Sequence, residues 1–181
     1  MRKTARKILF FGVSGILVAG IAGMAVPGLR VVPYMISLPF RAAPRTLSVP
    51  VEGVPASRLA DTWGAPRSGG RRHEGIDIFA KKGTRILSAT EGVVTRVGDN
   101  RLGGHSVWVM GPGGYLHYYA HLEKFGDVRP CQRIDEGHCI GTVGNSGNAG
   151  GTPPHLHYGI YRFIGGARNP YPLLKARSAH D

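Results

Sequence analysis

The stretch Tyr115-Leu116-His117-Tyr118-Tyr119-Ala120-His121-Leu122 decides how this chain folds. It is rich in aromatic residues and free of glycine and proline, which reads as a β-strand. Strict alternation predicts His117, Tyr119 and His121 on one face and Leu116, Tyr118 and Ala120 on the other. The first set is then expected to line a groove, with His121 the better candidate for catalysis and His117 a packing or rim residue.

Runs of the same kind lie outward from it, at residues 75–80, 92–97, 106–110, 139–143 and 155–163. Turn chemistry separates them: Gly83, Asp99-Asn100, Gly103-Gly104, Gly111-Pro112-Gly113-Gly114 and the glycine-rich stretch 147–154. Only residues 56–62 resemble a short helix. The expected fold is mainly β, an antiparallel sheet domain that buries one face and opens the other as a substrate groove. With 181 residues there is room for one such domain and an appendage, not for two separate cores.

The appendage is N-terminal. Arg2, Lys3, Arg6 and Lys7 precede an uncharged, largely apolar run over residues 8–29, the layout of a signal anchor or a signal peptide. That run is long enough for a transmembrane helix, and small residues at Gly23 and Ala25 also suit cleavage. Either way, the rest of the chain is expected outside the cytoplasm: periplasmic and held at the inner membrane, or secreted. Residues 30–50 carry Pro33, Pro39, Pro44 and Pro50, a spacing that blocks a long helix or a central strand. We read them as a linker lifting residues 51–181 off the membrane, with the apolar part, 31–40, alternatively lying in the membrane interface or on the domain.

The 23 Lys and Arg against 11 Asp and Glu suggest a polyanion nearby. Much of the excess sits at the N-terminus, in Arg2, Lys3, Arg6, Lys7, Arg30, Arg41 and Arg45, and no basic stripe with interleaved aromatics remains after residue 51. Nucleic-acid binding is therefore not expected. Cys131 and Cys139, eight positions apart in an exported domain, are candidates for a small disulfide loop.

Three contexts gather five of the eight histidines. In His155-Leu156-His157 the two rings project from the same face of a strand, so one can bind a metal while the other stands beside it. Pro153-Pro154 fix the entry to that strand. In His73-Glu74-Gly75-Ile76-Asp77 a straight strand would set the outer pair roughly 13 Å apart, too far for one ion. Gly75 is expected to bend the backbone between them, with Ile76 and Ile78 facing the core and Asp77 the groove. His105, His138 and His180 read as exposed histidines without a role.

His73-x-x-x-Asp77, Tyr119-Ala120-His121-Leu122 and the path from Gly144-Asn145-Ser146-Gly147-Asn148 to Pro154-His155-Leu156-His157 together resemble the lysostaphin/LytM-type zinc metallopeptidases, peptidase family M23. The resemblance covers about residues 51–172. It implies one zinc ion held by His73, Asp77 and His157, with His121 and His155 as catalytic histidines, and peptidoglycan cross-links or stem peptides as substrate. Two imidazoles and a carboxylate leave the open position that hydrolytic zinc requires. One departure stands out: Tyr158 is followed by Gly159 where the family often has a carboxylate, so another group must orient the ligand histidines. The resemblance also implies an alternative, a non-catalytic regulator that activates a cell-wall amidase or division complex, a role usually accompanied by damaged metal motifs. A lysin aimed at other cells is a third reading, against which the N-terminal run argues. Oligomeric state has no sequence signal.

Overall fold

A computed structural model describes residues 30–162 and 164–177. Nine strands among them form one antiparallel sheet: β1 (Ile76–Phe79), β2 (Arg85–Leu87), β3 (Gly92–Asn100), β4 (Gly104–Met110), β5 (Tyr115–Phe125), β6 (Arg133–Ile134), β7 (Cys139–Val143), β8 (His155–Arg162) and β9 (Gly166–Arg168). The main path runs β1-β8-β5-β4-β3-β6, with β2 and β7 as a side pair and β9 on β8. Two short helices, α1 (Val32–Ser37) and α2 (Tyr171–Arg177), complete the described chain. The domain is the mainly antiparallel β fold that the turn and strand pattern predicts.

β5 organises the molecule. One edge pairs with β4. The other pairs with β8 from Tyr115 to Ala120, then with β7 from Leu122 to Phe125. The strand changes partner at His121, whose φ of 65° lies in the left-handed region. A residue there turns the strand, and the pairing with both β4 and β7 shifts register beside it.

That turn corrects the expected faces. Up to Ala120 the alternation holds, but it is Tyr118 and Ala120 that face the groove, while His117 and Tyr119 are buried at 2% and 0% exposure. His121 joins the groove because its left-handed backbone breaks the alternation. The core on the other face contains Ile76, Ile78, Tyr119, Leu122, Ile140, Leu156 and Tyr158, each at most 1% exposed. Burying an aliphatic side chain of this size stabilises the fold by about 1.5–3 kcal/mol.

Of the readings left open for the proline-rich segment, the structure takes the one in which its apolar part lies on the domain. Val31 and Leu38 pack with Val93, and Leu47 belongs to the main core. Its prolines do keep the helix short, six residues followed by a 3-10 turn at Leu38–Phe40. The helix expected at 56–62 is only a 3-10 turn, Ala56–Arg58. No disulfide joins Cys131 and Cys139: both are free thiols. The apolar run 8–29 and His180 lie outside the described residues, and no described helix is long and apolar enough to cross a membrane.

Candidate metal centre

β1 and β8 lie side by side in a register that places Asp77 opposite His157 and Phe79 opposite His155. Alternation then sends Ile76 and Ile78 inward and Asp77 toward the groove, and brings both histidines of His155-Leu156-His157 to the same side. His73 enters from the preceding loop. Gly75 matters here for space, not for an unusual φ: a Cβ would stand 2.7 Å from Cε1 of His157 and 2.6 Å from the Tyr158 carbonyl oxygen. The bend expected of Gly75 is in fact close passage of the loop under the His157 ring.

The result is a cluster in which one donor atom each of His73, Asp77 and His157 lies within 4.8 Å of the others. Nε2 of His73 is 3.0 Å from Oδ1 of Asp77 and 2.8 Å from Nδ1 of His157, and that nitrogen is 3.3 Å from Oδ1. His155 stands next to them, its Nε2 3.9 Å from Oδ1. His121 faces His155 edge-on, with ring centroids 5.0 Å apart. All five residues singled out from the sequence therefore meet at one place. His117 does not: it is buried behind the strand, with Nδ1 2.7 Å from the Tyr158 hydroxyl.

Main-chain carbonyls orient three of the rings. Nδ1 of His73 bonds the Thr62 carbonyl at 2.7 Å, Nδ1 of His121 the Ser146 carbonyl at 2.8 Å and Nδ1 of His155 the Pro153 carbonyl at 2.8 Å. A carbonyl only accepts, so each Nδ1 donates and each Nε2 keeps its lone pair for the groove. Of the two ligand histidines, His73 thus gets its orientation from the Thr62 carbonyl, where Gly159 supplies no carboxylate. Thr62 acts twice, because its hydroxyl also accepts the Asp77 amide at 3.0 Å. Arg67 pairs with Oδ2 of Asp77, which leaves Oδ1 for the cluster. Sequence reasoning missed Thr62 and Arg67, and the orienting role of the Pro153 and Ser146 carbonyls. A carbonyl belongs to every residue type, so nothing in the letters marks these anchors.

Electrostatics suit a cation. Burial would raise the Asp77 carboxyl, but the His157 and His73 rings beside it outweigh that and hold the group well below the usual carboxylate range. Burial lowers His157, and lowers His121 to about 4 against the opposing effect of the Ser146 carbonyl. One carboxylate oxygen and two imidazole nitrogens converge, a donor set suited to zinc.

The groove around the cluster has a volume of about 1000 Å³. Trp108 and Tyr118 stack at 4.2 Å along one wall. Arg67, Arg71, Arg72 and Arg96 add positive charge. Behind His121, the loops at Gly104 and Gly147 pass backbone to backbone: a Cβ on either would come within 2.3 Å of the other's amide nitrogen. The Ser146 hydroxyl ties that contact to β5 by donating to the Leu122 carbonyl at 2.8 Å.

The chain is similar to known proteins over this region. The profile of Peptidase family M23 matches residues 71–170. The L-Ala--D-Glu endopeptidase of Bacillus subtilis (strain 168) is 44% identical over 131 residues, which cover 66% of this chain and 40% of that protein. The murein hydrolase activator NlpD of Escherichia coli (strain K12) is 32% identical over 129 residues, 71% of this chain and 31% of that one. This chain thus spans well under half the length of these relatives. Among solved structures, the catalytic domain of the antimicrobial peptidase lysostaphin from Staphylococcus simulans aligns with a TM-score of 0.59 at 26% identity, covering 66% of this chain and 95% of that domain.

Proposed function

Because the chain belongs to peptidase family M23, we propose that it is a zinc-dependent metalloendopeptidase that hydrolyses peptide cross-links or stem peptides of peptidoglycan in the cell envelope. The carrying observation is the convergence of His73, Asp77 and His157, donor atoms within 4.8 Å, with His121 and His155 beside them in one groove. The Bacillus subtilis relative, an L-Ala--D-Glu endopeptidase, supports the same substrate.

His73, Asp77 and His157 hold the zinc ion, which when bound supplies Lewis acidity toward water and the scissile carbonyl. The chain's own residues supply the rest. The groove binds an extended peptide and its arginines attract the carboxylates of stem peptides. His121 and His155, each fixed by a carbonyl at Nδ1, present Nε2 to the reacting group. One accepts a proton as water adds to the carbonyl carbon, and that proton goes to the amine nitrogen as the C–N bond breaks. The other stands beside it, where the negative oxygen develops. His121 is neutral at neutral pH and ready to accept, since burial lowers it to about 4.

The test is release of new amino groups from purified sacculi. Release should stop with chelator, return with zinc and be absent from His157→Ala. The similarity to an activator favours one further reading, a regulator of a separate hydrolase. A folded chain that binds no zinc and releases no amino groups, yet stimulates a wall amidase, would establish that reading instead.

A further inference from the structure

The two sides of α1 differ in a way the peptidase chemistry does not explain. Val31, Tyr34, Met35 and Leu38 fall on one stripe and pack on the domain, with Leu38 fully buried against Val93. Two bonds fasten that stripe: Tyr34 donates to Glu91 at 2.9 Å and Arg41 donates to the same carboxylate at 2.9 Å. Pro33, Ile36 and Phe40 fall on the opposite stripe and face outward. Ile36 is 60% and Phe40 87% exposed. Exposed arginines, Arg30, Arg41 and Arg45, flank them.

What covers this stripe is set by what adjoins it. The uncharged sequence run over residues 8–29 ends just short of Val31, which is already packed on the domain. Arg30 alone separates them, so no tether can lift this pole away from whatever takes up the run. No Asp or Glu occurs before Glu52, so the whole N-terminal region is basic as well as apolar. An apolar stripe beside arginines, next to a run long enough to span a bilayer, fits the headgroup region of an anionic membrane.

We propose that the outer stripe of α1 and the adjoining turn, Ile36 and Phe40 with Arg41 and Arg45, is a membrane-contact surface that seats the domain directly on an anionic bilayer. The fold then sets the direction of the groove. Pro39 lies against Gly114, immediately before β5. His121 is seven residues farther along, roughly 20 Å at about 3.3 Å per residue. The metal cluster is thus displaced along β5 from the membrane pole, and the groove runs back from it past Tyr118 and Tyr161. This proposal does not depend on the peptidase reading.

The test uses the full chain with Cys131→Ser and Cys139→Ser, reconstituted into phosphatidylcholine and phosphatidylglycerol vesicles that carry brominated acyl chains. A polarity-sensitive fluorophore is placed at Phe40→Cys or, as control, at Leu102→Cys near the groove. The expected result is strong bromine quenching of the label at 40 and none at 102. Equal quenching at both positions, or none at 40, overturns the proposal, as does a chain that does not associate with the vesicles. A label at 40 shielded from water without quenching, in proportion to protein concentration, overturns it in favour of a second copy of this chain as the covering partner.

Discussion

His117 and His121 stand four residues apart on the same strand, yet they belong to different parts of the molecule. His117 is wholly inside, against the Tyr158 hydroxyl, and burial pushes it down to about 3. His121 is on the groove side, beside His155, and burial lowers it to about 4. Their local chemistry is similar, since both are neutral and anchored imidazoles. Position relative to one left-handed residue separates them: β5 pairs with β8 before it and with β7 after it. A histidine in a strand is thus made functional by what lies opposite its lone pair, and the backbone decides that.

The comparison is broken most severely at His121 itself. Asparagine tolerates the left-handed conformation, so His121→Asn should fold with unchanged zinc content while losing on the order of 10²–10⁴-fold in kcat/KM. Assays on sacculi or a stem-peptide substrate, beside metal analysis, read both numbers. A His117→Gln substitution should leave catalysis at neutral pH unchanged, because Gln can still meet the Tyr158 hydroxyl and nothing at that position touches the groove. An equal loss in both variants would show that the two faces are not distinct.

A smaller effect is expected from Thr62→Val, which keeps the carbonyl that orients His73 but removes the hydroxyl that accepts the Asp77 amide. Zinc affinity should fall by about 10–100-fold, as for other groups that orient metal ligands. Competition with a chelating dye measures it, and unchanged affinity would remove Thr62 from the site.

The last effect, absent at neutral pH, sharpens the buried side. His117 is lowered from its ordinary value near 6.5 to about 3 in the folded chain. Above pH 6.5 it is neutral in both folded and unfolded states and contributes no pH dependence. As the pH falls through 6.5 toward 3, only the unfolded chain takes up the proton, so stability falls. His117→Gln removes that dependence: the two stability curves should converge in slope at neutral pH and separate below it by about 1.4 kcal/mol per pH unit. Urea denaturation at several pH values gives the slopes, and parallel curves from about pH 6 to 4 would contradict the burial account.

Much of this was legible in the letters. The glycine-rich separators and apolar runs marked β1, β3, β4, β5, β7 and β8, because turns and half-buried strands have local chemistry. Three-residue strands such as β2 and β9 carry too few residues for a pattern, and α2 was equally silent. His155 and His157 declared a shared face by spacing alone. Asp77 did so through the isoleucines on either side. The faces of β5 were misread because a left-handed histidine has no sequence signature, and the place of the Pro-rich segment stayed open because proline limits helix length without saying what the apolar residues between prolines pack against. The groups that orient the site, the carbonyls of Thr62, Ser146 and Pro153, exist only once the chain has folded.

The central claim is that His73, Asp77 and His157 form one metal site. Anomalous diffraction at the zinc edge, on protein purified with zinc, tests it most directly. The account predicts one zinc ion per chain bonded to one nitrogen from each of those two histidines and one oxygen of Asp77. Zinc held by other side chains, or a folded protein that binds none, would contradict it.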